Sequence, residues 1–165
     1  MKINGATLIN FIELNEDTQL KILTWRNHPT IKKWMYTDDN ILLDNHLNFI
    51  SSLKSTKDKQ YFVVDKDEQQ IGVIYFTNID TNKKECEFGL YANPFEKIAG
   101  VGSILEKLCI EYAFDILKLK KLKLEVFSNN KKALNLYKKF NFKEIGKKIV
   151  NNKDVICMEL KNENR

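Results

Sequence analysis

The 165-residue chain holds 43% hydrophobic and 30% charged residues, the composition of a soluble globular domain with a proper core. No apolar run approaches membrane-spanning length, and Met1-Lys2-Ile3-Asn4-Gly5 lacks the charged start and apolar block of a signal peptide, so a cytoplasmic protein with no membrane partner is expected. The net charge of +5 suits an anionic nucleotide ligand or a nucleic acid.

Cys86, Cys109 and Cys157 are odd in number and far apart, which reads as reduced thiols. With only His28 and His46 beside them, no metal site is expected.

Taken in order, the pattern predicts an opening strand from Ala6 to Ile12 and a helix from Glu16 to Asn27, interrupted by Pro29. A short helix from Thr30 to Met35 follows, then a third with Asp44 as N-cap and Leu47, Ile50 and Leu53 as its apolar face. Tyr61 to Val64 and Gln70 to Phe76 form a hairpin around the polar turn Asp65 to Gln69. Glu85 to Tyr91 is a strand that Pro94 ends. The helix Ser103 to Leu117 buries Ile104, Leu105, Leu108, Cys109, Tyr112 and Ile116. Leu122 to Phe127 is a strand, and residues 130–140 form a helix with Ala133, Leu136, Tyr137 and Phe140 on one face. Phe142 to Ile149 and Val155 to Leu160 close the chain as paired strands. No repeat or linker divides it, so residues 1–165 are one domain. Periodicity alone supports an α/β fold and nothing finer.

Between the strand at 85–91 and the helix at 103–117 lies Lys97-Ile98-Ala99-Gly100-Val101-Gly102-Ser103. Two glycines at a strand-to-helix junction let backbone come close to a ligand, and the first amides of a helix have no internal partner. The spacing is neither a Walker loop nor a dinucleotide fingerprint. Some thirty residues on stands Asn130-Lys131-Lys132-Ala133-Leu134-Asn135-Leu136-Tyr137-Lys138-Lys139-Phe140-Asn141-Phe142.

Together these stretches resemble the GCN5-related N-acetyltransferase (GNAT) family, whose (Arg/Gln)-x-x-Gly-x-(Gly/Ala) loop and Asn-x-x-Ala-x-x-Leu-Tyr-x-x-x-Gly-Phe segment they match with two departures. Lys97 stands where Arg or Gln is usual and keeps the charge. Asn141 stands where Gly is usual, and Asn is the next best residue at left-handed dihedrals. The resemblance spans nearly the whole chain. It implies a mixed, twisted sheet with helices on both faces, in which the fourth and fifth strands, here 85–91 and 122–127, splay apart around acetyl-CoA.

Acetyl transfer to an amine needs a neutral amine, a polarised thioester carbonyl and a proton for the departing thiolate. The resemblance makes Tyr137 the thiolate acid. Acetyl-CoA would lie along Leu90, Tyr91 and Ala92, whose amides face the developing oxyanion, and along residues 97–103, Asn130 and Tyr137. The general base has three candidates. Glu125 comes first, because Leu122, Leu124 and Val126 alternate with Lys121, Lys123 and Glu125 and set it on the acceptor side; Glu87 and His46 follow.

The stretch before the second strand is dense in Trp25, Arg26, His28, Trp34, Met35, Tyr36, His46 and Phe49. It resembles one subgroup of the family, the N-acetyltransferases of pseudaminic acid biosynthesis. These acetylate the 4-amino group of a UDP-linked 4-amino-4,6-dideoxy-N-acetyl-altrosamine on the way to flagellin glycosylation. A UDP-amino-sugar would set its uracil against Met35, Tyr36 or Phe49 and its diphosphate against Arg26 or His46.

A peptide acceptor, as in ribosomal-protein N-terminal acetyltransferases, is the alternative within the family. A nucleic-acid-binding domain built on the lysines is the alternative of another class, and it leaves both motifs unexplained; no nucleic-acid partner is expected. Most lysines, among them Lys131, Lys132, Lys138 and Lys139, read as solvated surface, with a few steering phosphates. A homodimer is compatible with the sequence but not read from it.

Overall fold

The computed structural model describes residues 1–165. In chain order it contains β1 (Lys2–Ile3), β2 (Ala6–Asn10), α1 (Glu16–Arg26), α2 (Pro29–Lys32), α3 (Leu43–Ser52), β3 (Gln60–Lys66), β4 (Gln69–Asp80), β5 (Glu85–Ala92), α4 (Val101–Glu111), β6 (Lys121–Phe127), α5 (Lys131–Lys139), β7 (Lys143–Val150) and β8 (Lys153–Lys161). All eight strands join one sheet in the order β1-β2-β3-β4-β5-β6-β8-β7. The short β1 adds one to the expected strand count, so the expected fourth and fifth strands are β5 and β6.

Local chemistry sets most boundaries. The Asn15 side chain accepts from the Thr18 amide and starts α1, with Glu16 and Asp17 at the positive end of its dipole. Pro29 opens α2 at its first turn, where its missing N–H costs nothing. Asp67 and Glu68 both have positive φ and make the two-residue turn that lets β3 and β4 run further than expected, to Lys66 and from Gln69. The opening strand ends at Asn10, not Ile12, because Asn10 caps a 3-10 turn over Phe11–Glu13.

Two other expectations are corrected. Asp44 lies inside the first turn of α3, and Leu42 occupies the cap position without a side-chain bond. Its buried residues are His46 and Ile50, with Leu47 only half-buried. The helix expected to reach Leu117 widens to a π-helical turn at Tyr112–Ile116, where the Leu117 amide bonds the Tyr112 carbonyl at 2.9 Å. The extra residue rotates the apolar face. Ala113 and Phe114 go inward, and Ile116 is 44% exposed.

The sheet buries both faces. Along β3 and β4, Phe62, Val64, Ile74 and Phe76 join the core under α4 and α5, with Leu105, Leu108, Leu134 and Tyr137. Their neighbours Val63 and Val73 point the other way, into a second core with Ile22 and Trp25 of α1 and Ile50 of α3. This period-2 division puts helices on both faces.

The feature that makes a site is the junction of β5 and β6. They pair in parallel only at Glu85↔Lys121, Cys86↔Leu122 and Glu87↔Lys123. Beyond that point β5 stays with β4 as far as Gly72↔Ala92, while β6 stays with β8 as far as Phe127↔Val155. The two strands diverge, and the edge of β5 from Phe88 to Ala92 that faces β6 keeps backbone groups without ladder partners.

Candidate active site

A cavity of about 610 Å3 opens in the splay. Leu90, Tyr91 and Ala92 line it from β5, and Ile98, Gly100, Val101, Gly102 and Ser103 from the loop and first turn of α4. Asn130 and Tyr137 close it from α5. The structure thus brings together all but two of the residues expected to hold acetyl-CoA. Lys97 and Ala99 are exposed and outside the lining. The Val101 amide bonds the Ile98 carbonyl at 3.3 Å in a tight turn, which brings Ile98 in and turns its neighbours out. Lys132 and Lys139 of α5 supply the cations at the lining instead.

Gly100 sits at φ +70°, a left-handed conformation that an L side chain resists, and it offers α4 no capping side chain. The helix therefore begins at Val101, two residues earlier than expected. The amides of Gly102 and Ser103 have no backbone acceptor at this uncapped start. Such a helix end is ready to receive a phosphate. Asn130 caps α5 by accepting from the Ala133 amide at 3.2 Å, which leaves its own NH2 group to donate. Asn141 has φ +72°, as the sequence predicts, and the Phe142 amide bonds back to the Tyr137 carbonyl at 3.1 Å. That closure fixes the end of the helix that carries Tyr137.

Tyr137 is 9% exposed, packed edge-on to Phe88 and Phe142. Burial first, then the nearby Glu106 carboxylate, push its phenol well above the usual value, so it stays protonated. Glu125 also lines the cavity. On its strand Leu122, Leu124 and Val126 are buried and Glu125 faces the opposite way, as expected. Both its oxygens are engaged: the Tyr36 hydroxyl donates to Oε1, and Lys148 of β7 pairs with Oε2. Burial, and then this bond, raise the Tyr36 phenol. Glu87 shares the Glu125 face but accepts from the Asn78 side chain at 2.9 Å, away from the cavity lining.

A second cavity of about 300 Å3 adjoins the first, and Met35, Tyr75 and Tyr91 line both. Arg26, Met35, Tyr36, His46 and Phe49, the residues expected on the acceptor side, all line it. Arg26 Nη1 is buried with no hydrogen-bond partner, while Nη2 donates to the Thr37 carbonyl at 3.4 Å. A buried guanidinium nitrogen without a protein partner, among aromatic walls, suits an anion.

His46 departs from expectation. Its Nε2 donates to the Gln19 carbonyl at 2.8 Å, and burial lowers its pKa despite that bond. The ring ties α3 to α1, and its lowered pKa favours the neutral form over the cation expected beside a diphosphate. Trp25 is fully buried core, and Trp34 lines the larger cavity rather than the acceptor side.

The sequence reading missed Tyr61, Tyr75 and Gly89, which stand side by side across β3, β4 and β5. Lys148 was also missed, since β7 reaches Glu125 only through β8. The register of the strands would have found them; periodicity within one strand does not.

The splayed sheet, the uncapped helix start and the buried tyrosine belong to an acyl-CoA-handling enzyme fold. Residues 20–142 match the model of the Acetyltransferase (GNAT) family, and the chain belongs to that family and is an N-acetyltransferase. It is 49% identical over 135 residues to "Acetyltransferase PseH" of Campylobacter jejuni subsp. jejuni serotype O:23/36, a match covering 82% of this chain and 83% of the relative. The crystal structure of Campylobacter jejuni N-acetyltransferase PseH in complex with acetyl coenzyme A superposes with a TM-score of 0.77 at 42% identity, over 94% of this chain and 98% of that one. Spermidine N-acetyltransferase from Vibrio cholerae, solved with CoA and spermine, superposes with a TM-score of 0.87 over 98% of both chains, but at 22% identity it shares the fold alone.

Proposed function

We propose that the chain transfers the acetyl group of acetyl-CoA to the 4-amino group of a UDP-linked 4-amino-4,6-dideoxy-N-acetyl-β-L-altrosamine, a step of pseudaminic acid biosynthesis that serves flagellin glycosylation. The observation that carries the acceptor is the buried, unpartnered Nη1 of Arg26 in an aromatic cavity that joins the larger one through Met35, Tyr75 and Tyr91. A diphosphate answers the guanidinium and a uracil answers the rings. The kinship with PseH supports the same reading.

The residues present fit acetyl-CoA. The free amides of Gly102 and Ser103, with Lys132 and Lys139, suit the pyrophosphate; the apolar splay suits the pantetheine arm. Acetyl-CoA supplies an activated acyl carbon when bound. The chain's own groups do the rest. Unpaired amides of β5 donate to the carbonyl oxygen as charge gathers there. Glu125 takes the proton of the attacking amine, and Tyr36 and Lys148 hold its carboxylate in place. Tyr137, kept neutral by burial, gives its proton to the leaving thiolate.

The test is CoA release from acetyl-CoA with the UDP-4-amino-sugar, the free sugar and ribosomal-protein N-terminal peptides as acceptors. Turnover with the UDP-sugar alone is the expected result. Turnover with peptides alone would keep the chemistry and overturn the acceptor.

A further inference from the structure

Tyr61, Tyr75 and Gly89 are cross-strand partners in a row over β3, β4 and β5. Extending the Glu87↔Lys123 register by two residues would set Gly89 beside Glu125 at the mouth of the splay. A Cβ at Gly89 would overlap the ring and hydroxyl of Tyr75. The ring of Tyr75 therefore lies over β5 where a side chain would otherwise stand. On its other side it stacks on Tyr61, with centroids 4.9 Å apart and planes 6° from parallel. Tyr61 is braced in turn by Phe49, edge-on at 4.9 Å. A ring held between a parallel ring and a strand backbone has little room to swing. Tyr75 also belongs to the wall shared by the two cavities.

From this geometry we infer that Tyr75 sets the length of the acyl group the enzyme accepts. The ring stops the donor's acyl chain at two carbons, because a third and fourth carbon would need the space it fills between the two cavities. The inference rests on the acetyl-transfer reading and adds to it a donor specificity. It does not depend on which amine is the acceptor.

The experiment measures binding of acetyl-CoA and butyryl-CoA by calorimetry to the wild type, Tyr75→Phe and Tyr75→Val, each checked by thermal melting. The wild type should prefer acetyl-CoA, and Tyr75→Phe should keep most of that preference, since it loses only the hydroxyl at the tip and retains the ring. Tyr75→Val should shift the ratio of affinities toward butyryl-CoA by about ten-fold, the gain expected from burying two more methylenes. Should Tyr75→Val not fold, Tyr75→Leu carries the same comparison with a smaller loss of volume. An unchanged ratio in the folded variant, or equal binding of both thioesters by the wild type, overturns the inference. If the wild type binds neither thioester, the acetyl-transfer reading falls and this one with it. If it binds acetyl-CoA but does not turn over the UDP-sugar, only the acceptor reading falls.

Discussion

In the proposed mechanism burial keeps Tyr137 in its acid form and at the same time makes it a weaker proton donor, so the transfer must be coupled to departure of the thiolate. Its phenol is pushed well above the ordinary range by burial, so it remains protonated through the alkaline pH at which the enzyme can be assayed. Tyr137→Phe should lower kcat by about 10²–10⁴ while acetyl-CoA affinity stays near that of the wild type. Any alkaline limb of the pH–rate profile should survive in the variant, because the tyrosine does not titrate there; a limb that vanishes with the hydroxyl would contradict this. Glu125→Gln should cost a similar factor in kcat, read by the same steady-state assay, since the amide cannot take the amine's proton. At Gly89 the constraint is contact. Gly89→Ala should destabilise the fold by about 1–3 kcal/mol as the new methyl meets the Tyr75 ring. Adding Tyr75→Ala should restore part of that loss, and a double-mutant cycle by urea denaturation measures the coupling. Additive losses would mean that the two residues do not press on each other.

The elements that build the proposed phosphate end of the site were legible in the sequence because their constraints are local. Gly100 and Asn141 both adopt the left-handed conformations that their residue types favour, and each marks a helix boundary. Gly100→Ala should cost about 1–2 kcal/mol and weaken acetyl-CoA binding by misdirecting the amides of Gly102 and Ser103; calorimetry and thermal melting check the two effects separately. The smaller cavity, proposed for the acceptor, was legible as a set of residue types, and all five expected residues line it. The charge state of His46 was not, because it depends on burial against a helix distant in sequence. Ile116 was misplaced because helical periodicity assumes 3.6 residues per turn, and the π-helical turn at Tyr112–Ile116 breaks that count. Tyr75, Gly89 and Lys148 were invisible for a third reason: their meaning lies in which strand pairs with which, and in what register.

At the scale of the whole molecule one buried titratable group weighs on stability. Glu106, on α4, is 0% exposed and neither carboxylate oxygen has a partner. Burial raises its pKa to about 8. In the fold it is neutral below that pH, whereas in the unfolded chain it ionises above about 4.3. Between these values the folded chain binds the extra proton, so this group's contribution is full at low pH and is lost as pH rises toward 8, by about 1.4 kcal/mol per pH unit. Glu106→Gln removes the titration. Its melting temperature should exceed that of the wild type at pH 8, and the gap should close toward pH 4.5. A gap that is constant across this range would show that Glu106 does not titrate with unfolding.

The three-pair ladder between β5 and β6 also has a consequence for how the chain assembles. From β3 to β5 each strand pairs antiparallel with the next across a short turn, so these three strands can form from short loop closures before the rest is organised. β6 can join only after the chain has crossed over through α4, and it joins by its first three residues. The expected order is an early meander of β3, β4 and β5 and a late C-terminal unit of β6, β7 and β8. Pulsed hydrogen exchange during refolding should show amides of residues 60–90 protected before those of residues 121–161. Simultaneous protection would mean that the short ladder forms with the meander and not after it.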